Sequence, residues 1–236
     1  MQTLRSILLI AVTLLGMSSI KAQPTNLGTV TDIDGNVYRT VLIGKYLWMA
    51  ENLRTTSYNN GAEIRYITDS IAWRRLIIGG YCWYHNDVAN GVTYGALYNW
   101  YAVNTGSLCP DGWRVPTDNE WMDLEATADT RFGQDDPVWD KQGGRGQDAG
   151  LRLKATSGWW SQGNGTDNLG FAALPGGERC SQGRFFVGGK SGFWWSSSGK
   201  NDSIAWYRNM IYGLEDIYRN IHPKWMGFSV RCIRDK

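Results

Sequence analysis

From Phe171 onward the chain alternates short β-prone runs with turn residues: FAALPGG, RFFVGG, FWWSSS, IAWYRNMIY, DIYRNI and GFSVRCI. Six such runs at close spacing imply an antiparallel sheet at the C-terminal end. The phase of alternation decides which side chains face outward. In a regular strand Trp194 and Trp195 point to opposite faces, so one of them is expected to be exposed or to lie under a loop.

The earlier part carries the helical signals. Thr117 followed by Glu120 forms a capping box, and Trp121 and Leu124 continue a short amphipathic helix to about Ala128. Pro116 separates it from the preceding extended run. Tyr94 to Val103 places Leu97, Trp100 and Tyr101 at helical spacing, which predicts a second helix. Asp34-Gly35 between Val30 and Val37 predicts a hairpin, and a further strand is expected over Tyr46 to Met49. Asp32, Asp34 and Asn36 imitate the start of a calcium loop. Gly35 falls one place early, however, and no glutamate closes the pattern, so the turn reading is preferred. Residues 133–170 read as loops around a short Leu151 to Ala155 element.

Thirteen Trp and twelve Tyr beside 29 Gly suit a looped β scaffold in which large flat side chains replace aliphatic layers. Residues 1–22 have the anatomy of a signal peptide, with Arg5, an apolar run from Ile7 to Met17 and a polar approach to Ala22. The expected product, residues 23–236, is a single domain that is secreted, periplasmic or on the cell surface, with no membrane span after signal removal. Its charges are nearly balanced, and no basic stripe points to nucleic acid. Cys82, Cys109, Cys180 and Cys232 are an even number in an exported chain, which favours disulfides; four cysteines allow three pairings.

Catalytic motifs are missing. His85 and His222 lack metal-ligand spacing and are expected on loops or the surface. There is no G-x-S-x-G elbow. Asp135-Asp136 and Glu215-Asp216 read as solvated loops, since adjacency in sequence does not supply the separation glycoside hydrolysis needs. Gly144 to Ala149 imitates a dinucleotide loop, but no apolar strand precedes it; Gly183 to Ser191 ends like a phosphate loop, but five residues rather than four separate Gly183 from Gly189, and both read as turns. The chain is therefore read as a non-enzyme, with no metal and no cofactor.

Several segments in one order identify a relationship: Asp34 to Tyr38, Trp48 to Leu53, Tyr81 to Tyr84, Tyr94 to Trp100, Cys109 to Trp113, Leu174 to Gly177, Trp194 to Ser197 and Ser229 to Cys232. Together they resemble the Fibrobacter succinogenes major paralogous domain family over essentially all of residues 27–236. That family resembles, more distantly, C-type lectins and the sulfatase-modifying-factor group. The resemblance implies an α+β, C-type lectin-like fold with few short helices, a C-terminal antiparallel sheet and long loops. It also implies that Cys109, opening the main helix, pairs with Cys232 on the last strand, and that the late strands present the ligand surface. The Glu-Pro-Asn, Gln-Pro-Asp and Trp-Asn-Asp triplets of calcium-dependent lectins are missing, so calcium-bridged sugar recognition has no support.

The expected ligand residues are Asn201, Asp202, Trp206, Tyr207, Asn209, Tyr212, Tyr218 and Trp225, which offer flat apolar faces beside polar tips. The expected partner is a carbohydrate or a protein. A structural or adhesin subunit of a surface appendage is the alternative. A sulfatase-modifying-factor type enzyme is set aside because no thiol outside the implied pair has a marked activating partner. The sequence does not define the oligomeric state.

Overall fold

A computed structural model of the chain describes residues 26–236, so the expected leader lies outside the described residues. The strands run β1 (Asn26–Thr31), β2 (Val37–Ile43), β3 (Tyr46–Met49), β4 (Arg65–Tyr66), β5 (Gly80–Cys82), β6 (Leu97–Tyr98), β7 (Gly143–Arg145), β8 (Glu178–Arg179), β9 (Phe185–Phe186), β10 (Ser191–Gly199), β11 (Ile204–Ile211), β12 (Ile217–Pro223) and β13 (Ile233–Asp235). Between them lie the short helices α1 (Ser70–Arg74), α2 (Val88–Tyr94), α3 (Trp100–Val103), α4 (Asp118–Ala128) and α5 (Ala149–Leu153). The class is α+β, with sheet predominating.

The first hairpin is closed by its own acidic residue. Asp32 Oδ1 accepts from the backbone N–H groups of Asp34 (3.1 Å) and Asn36 (2.8 Å), and its Oδ2 accepts from the Tyr38 hydroxyl at 2.6 Å. Gly35 takes the left-handed conformation that the turn requires, at φ 83°. The carboxylate that imitated a calcium ligand is thus spent on turn geometry. β3 forms over the expected residues and pairs with β2.

The last strand departs from expectation. Of the final run only Ile233 lies in regular strand, as the first residue of β13. That strand joins the N-terminal sheet, in the order β1-β2-β3-β13, with Ile233 opposite Trp48. The two ends of the described chain therefore close on each other. The Cys109–Cys232 disulfide, spanning a sequence separation of 123, locks the segment before α4 to the approach to β13. Cys82 and Cys180 are free and buried.

The late sheet has the order β10-β11-β12-β7 and is antiparallel throughout. α4 packs across one face of it and begins with the expected box: Glu120 N–H donates to Thr117 Oγ1 at 3.3 Å, and Thr117 N–H donates to Glu120 Oε2 at 2.7 Å. Because both faces of β10 are covered, Trp194 and Trp195 are both fully buried, each in a different core cluster. The expectation that one would be exposed or under a loop holds only for a strand with a single covered face. In one cluster the Trp48 ring lies 5.3 Å from Trp121 and 5.7 Å from Phe171. In the other, Phe228 lies 4.4 Å from Trp195 and 5.0 Å from Tyr207. Interlocked rings supply the bulk that branched aliphatics supply elsewhere.

Two local readings are corrected. Tyr94 to Val103 is not one helix. Gly95, at φ 77°, ends α2; Leu97 and Tyr98 pair with β5; and the Asn99 side chain accepts from Ala102 N–H to start α3. Helical spacing of aromatics was outweighed here by a left-handed glycine and strand pairing. FAALPGG contributes isolated bridges at Ala173 and Gly177 rather than a strand.

Loops leave backbone carbonyls without partners, and buried cations supply the donors. Lys154 Nζ donates to the carbonyls of Ile211 (3.1 Å) and Leu214 (2.8 Å). Fully buried Arg179 donates to the carbonyls of Gly183, Ile67, Thr68 and Asp69.

Candidate functional site

β11 and β12 present two faces of different character, and the ligand residues expected from sequence divide between them. Toward α4 point Trp206, Arg208 and Arg219. Here a chain of charges runs Arg145, Glu125, Arg208, Asp118, Arg219. Arg145 Nε donates to Glu125 Oε2 at 2.8 Å, and the Nε of Arg208 donates to Glu125 Oε1. Arg208 Nη1 reaches Asp118 Oδ1 at 2.6 Å, and Arg219 Nε reaches Asp118 Oδ2 at 3.0 Å. Trp206 is nearly buried beneath this chain, with the Arg219 guanidinium 3.6 Å and Lys200 Nζ 5.3 Å from its ring centroid. Every charge is hydrogen-bonded, so this face is a clamp between sheet and helix.

On the opposite face stand Tyr207, Asn209, Tyr218, Asn220 and His222. The register places Asn209 opposite Tyr218 and Tyr207 opposite Asn220. Phe193 on β10 continues the face, 6.0 Å from Tyr207 between ring centroids. His222 is tilted against Tyr207 at 5.1 Å and meets Phe228 edge-on at 5.9 Å. Of the expected loop or surface position, the loop is corrected: His222 lies on β12, half-buried at the border of solvent. Burial lowers the His222 pKa below the ordinary imidazole value and raises that of Tyr207 to about 12, with the charge of Glu178 adding to the rise.

Glu178, on β8, is the residue sequence reasoning missed. It borders this face, is half-buried, and burial alone pushes its carboxyl up to about 7. No motif surrounds it; its place depends on Gly177 pairing with Gly192 and Arg179 pairing with Gly227, contacts invisible in the local sequence. Below about pH 7 the face thus offers a carboxylic acid that both donates and accepts, the His222 imidazole, the Asn220 amide and the ring of Tyr218. Such a set suits an uncharged ligand rich in hydroxyl groups.

The remaining expected residues lie apart. Asn201 and Asp202 are exposed in the β10–β11 turn, where Asn201 Oδ1 accepts from Ser203 N–H (2.9 Å) and Ile204 N–H (3.1 Å). Tyr212 sits at the other end of β11. Trp225 is half-buried after β12, and its carbonyl accepts from Trp73 Nε1 at 2.9 Å. Tyr207 and Asn209 are themselves largely buried, and Asn209 Nδ2 donates to the Gly192 carbonyl at 2.9 Å. They shape the face, while Tyr218, Asn220, His222 and Glu178 border solvent.

Two hollows of about 390 and 500 Å³ flank α4 and share Asp123, Gln134 and Asp135. Asp123 is paired with Lys45 at 3.0 Å, Asp136 accepts from Val138 N–H at 2.9 Å, and Asp135 and Asp140 are exposed, so these hollows are open surface. No group of three or more potential metal ligands occurs among the described residues, and no helix there is long and apolar enough to cross a membrane.

The family model described as Fibrobacter succinogenes major domain matches residues 41–234 of this chain. No curated protein and no solved structure matches it.

Proposed function

From the premise that this chain belongs to the Fibrobacter succinogenes major domain family, we propose that it is a non-catalytic binding module. Its ligand face is the side of β11 and β12 bordered by Glu178, Tyr218, Asn220 and His222, and its ligand is a carbohydrate. The observation that carries this reading is Glu178: a half-buried carboxyl raised by burial alone beside Tyr207. Such a group costs stability unless something outside the fold uses its hydrogen bonds. Sugar hydroxyls suit a protonated acid and the Asn220 amide, and the Tyr218 ring offers a stacking face.

The fold is read as C-type lectin-like. Its disulfide joins the segment opening the longest described helix to the approach to the last strand, and β13 returns to the N-terminal sheet. Export to the periplasm, the cell surface or the medium follows from the leader pattern in residues 1–22. A sulfatase-modifying-factor type activity is not favoured. It needs an activated thiol, whereas burial pushes Cys82 up to about 12 despite the neighbouring Arg179, and Cys180 is also buried.

A second reading, a protein-binding subunit of a surface appendage, draws on Val88 and Val92, exposed one turn apart on α2. A glycan array, probed with the purified chain with calcium and again with chelator, separates the two. Binding lost in Tyr218→Ala and Asn220→Ala supports the lectin reading. A blank from folded protein in both conditions rejects it in favour of the appendage subunit.

A further inference from the structure

A separate part of the surface holds an aromatic residue out at the cost of backbone strain. Trp160 is 52% exposed. Ser161 and Gln162, which follow it, both lie in the left-handed region at φ 50° and 59°, and Val187, across the loop, lies there at φ 51°. A β-branched residue in this region is a true outlier, and such strain persists only where the surroundings over-determine it.

The surroundings do so through backbone bonds. Trp160 N–H donates to the Gly189 carbonyl at 2.8 Å, Lys190 N–H to the Val187 carbonyl at 3.0 Å, and Tyr212 N–H to the Lys190 carbonyl at 2.9 Å. Gly163 closes against the Tyr212 backbone so tightly that any Cβ would collide with its carbonyl. The result is a fixed corner in which Tyr212 stands perpendicular to Trp160 at 5.0 Å and Lys190 Nζ lies 4.5 Å from the Trp160 ring centroid. Lys190 is exposed and has no carboxylate within salt-bridge distance among the described residues. Its hold on the ring is weak at such an exposed site, so its ammonium is free to turn toward an anion.

We propose that Trp160, Tyr212 and Lys190 form a second binding subsite, one that takes a pyranose carrying an anionic substituent. The sugar ring stacks on Trp160, Tyr212 walls one edge, and Lys190 pairs with the anion. The assignment borrows from the lectin reading only the ligand class, and it uses none of the residues facing Glu178.

The test measures affinities of the full exported chain for three hexasaccharides: galacturonate, which carries carboxylates; a sulfated galactan fragment; and neutral cellohexaose. Binding of at least one anionic hexamer, weakened tenfold or more in Trp160→Ala and retained within about threefold in Trp160→Phe, is the expected result. Lys190→Gln is expected to erase the preference for that hexamer over the neutral one, and which acidic hexamer binds tells carboxylate from sulfate. If neither acidic hexamer binds, or if Trp160→Ala binds as wild type does, the proposal fails. Tyr218→Ala run in parallel separates the sites: its loss of binding with Trp160→Ala unaffected overturns this subsite and leaves the β11–β12 face standing. The converse does the opposite. Unchanged far-ultraviolet dichroism in each variant confirms that folding was preserved.

Discussion

Arg208 Nη1 stands 2.6 Å from Asp118 Oδ1, and this contact joins the middle of the late sheet to the first turn of α4. Because Arg208 also holds Glu125, one guanidinium serves two buried carboxylates. Removing it leaves both short of a partner where water cannot replace it. Arg208→Met is therefore expected to cost about 3–5 kcal/mol in urea denaturation. A triple replacement of Asp118, Glu125 and Arg208 by apolar residues of similar volume is expected to cost more than the single change, since it also takes the carboxylates from the buried Arg145 and from Arg219.

The same pair predicts an acid response. Burial pushes the Asp118 carboxyl up, but Arg219 and Arg208 together outweigh it and hold the group below its ordinary value. A carboxyl with a depressed folded pKa adds stability above its unfolded value, near 4, and that stability is lost as pH falls through the folded one. Asp118→Asn is thus expected to be less stable than wild type at pH 7 and to show a shallower further loss between pH 4 and pH 2.

Asn52 is a junction of comparable weight. Its Oδ1 accepts from Trp194 Nε1 at 2.8 Å and from Arg231 Nε at 2.9 Å, while its Nδ2 donates to the Tyr94 carbonyl at 2.8 Å. Asn52→Ala removes all three bonds and strips an acceptor from the fully buried Arg231, for an expected loss of about 3 kcal/mol. Asn52→Asp keeps the acceptor and faces a cation, so it is expected to be the milder variant. Thermal unfolding of the two, side by side, checks the order.

Three segments that carried the family resemblance, those around Asn52, Trp194 and Arg231, meet at this junction. That explains why they were legible: a buried hydrogen-bonded knot needs particular side chains in particular places. The α4 capping box and the Asp32 turn were legible for a simpler reason, since their partners lie within a few residues. The single helix expected over Tyr94 to Val103 failed because Gly95 and the pairing of Leu97 with Cys82 depend on a strand well upstream. Tyr207 and Trp206 could not be sorted from sequence, because β11 is covered on both faces and its alternation carries no polarity signal. Glu178 was missed for a related reason: it occupies a two-residue strand whose position is set by Gly192 and Gly227.

Covalent closure sets a further expectation. The Cys109–Cys232 bridge spans a sequence separation of 123, for which chain-entropy arguments give about 4–5 kcal/mol. Reductant, or the double replacement Cys109→Ala with Cys232→Ala, is expected to lower stability by roughly that amount. A chain lacking Cys82 and Cys180 is expected to keep the full response to reductant, because neither is bridged. Urea titration with and without reductant reads both effects.

Glu178 gives the last prediction, and its sign follows from burial alone. The folded carboxyl is pushed up to about 7, whereas in an unfolded chain it ionises near 4.3. Below that value the proton is bound in both states and nothing is lost. As pH rises toward 7 the unfolded state releases its proton first, so stability falls, and above 7 the penalty is constant. Glu178→Gln is expected to match the wild type near pH 4 and to be the more stable protein at pH 8. The difference is on the order of 2 kcal/mol after discounting for the part of the group that water reaches. If the proposed sugar site is right, binding is expected to follow the same curve, because ionisation removes the donor that a sugar hydroxyl would use. Burial holds His222 below the ordinary imidazole value, and Glu178→Gln, which leaves His222 in place, tells the two groups apart. A binding profile that declines through pH 7 in the wild type and stays flat in Glu178→Gln is the expected measurement. A decline shared by both would move the titrating group elsewhere.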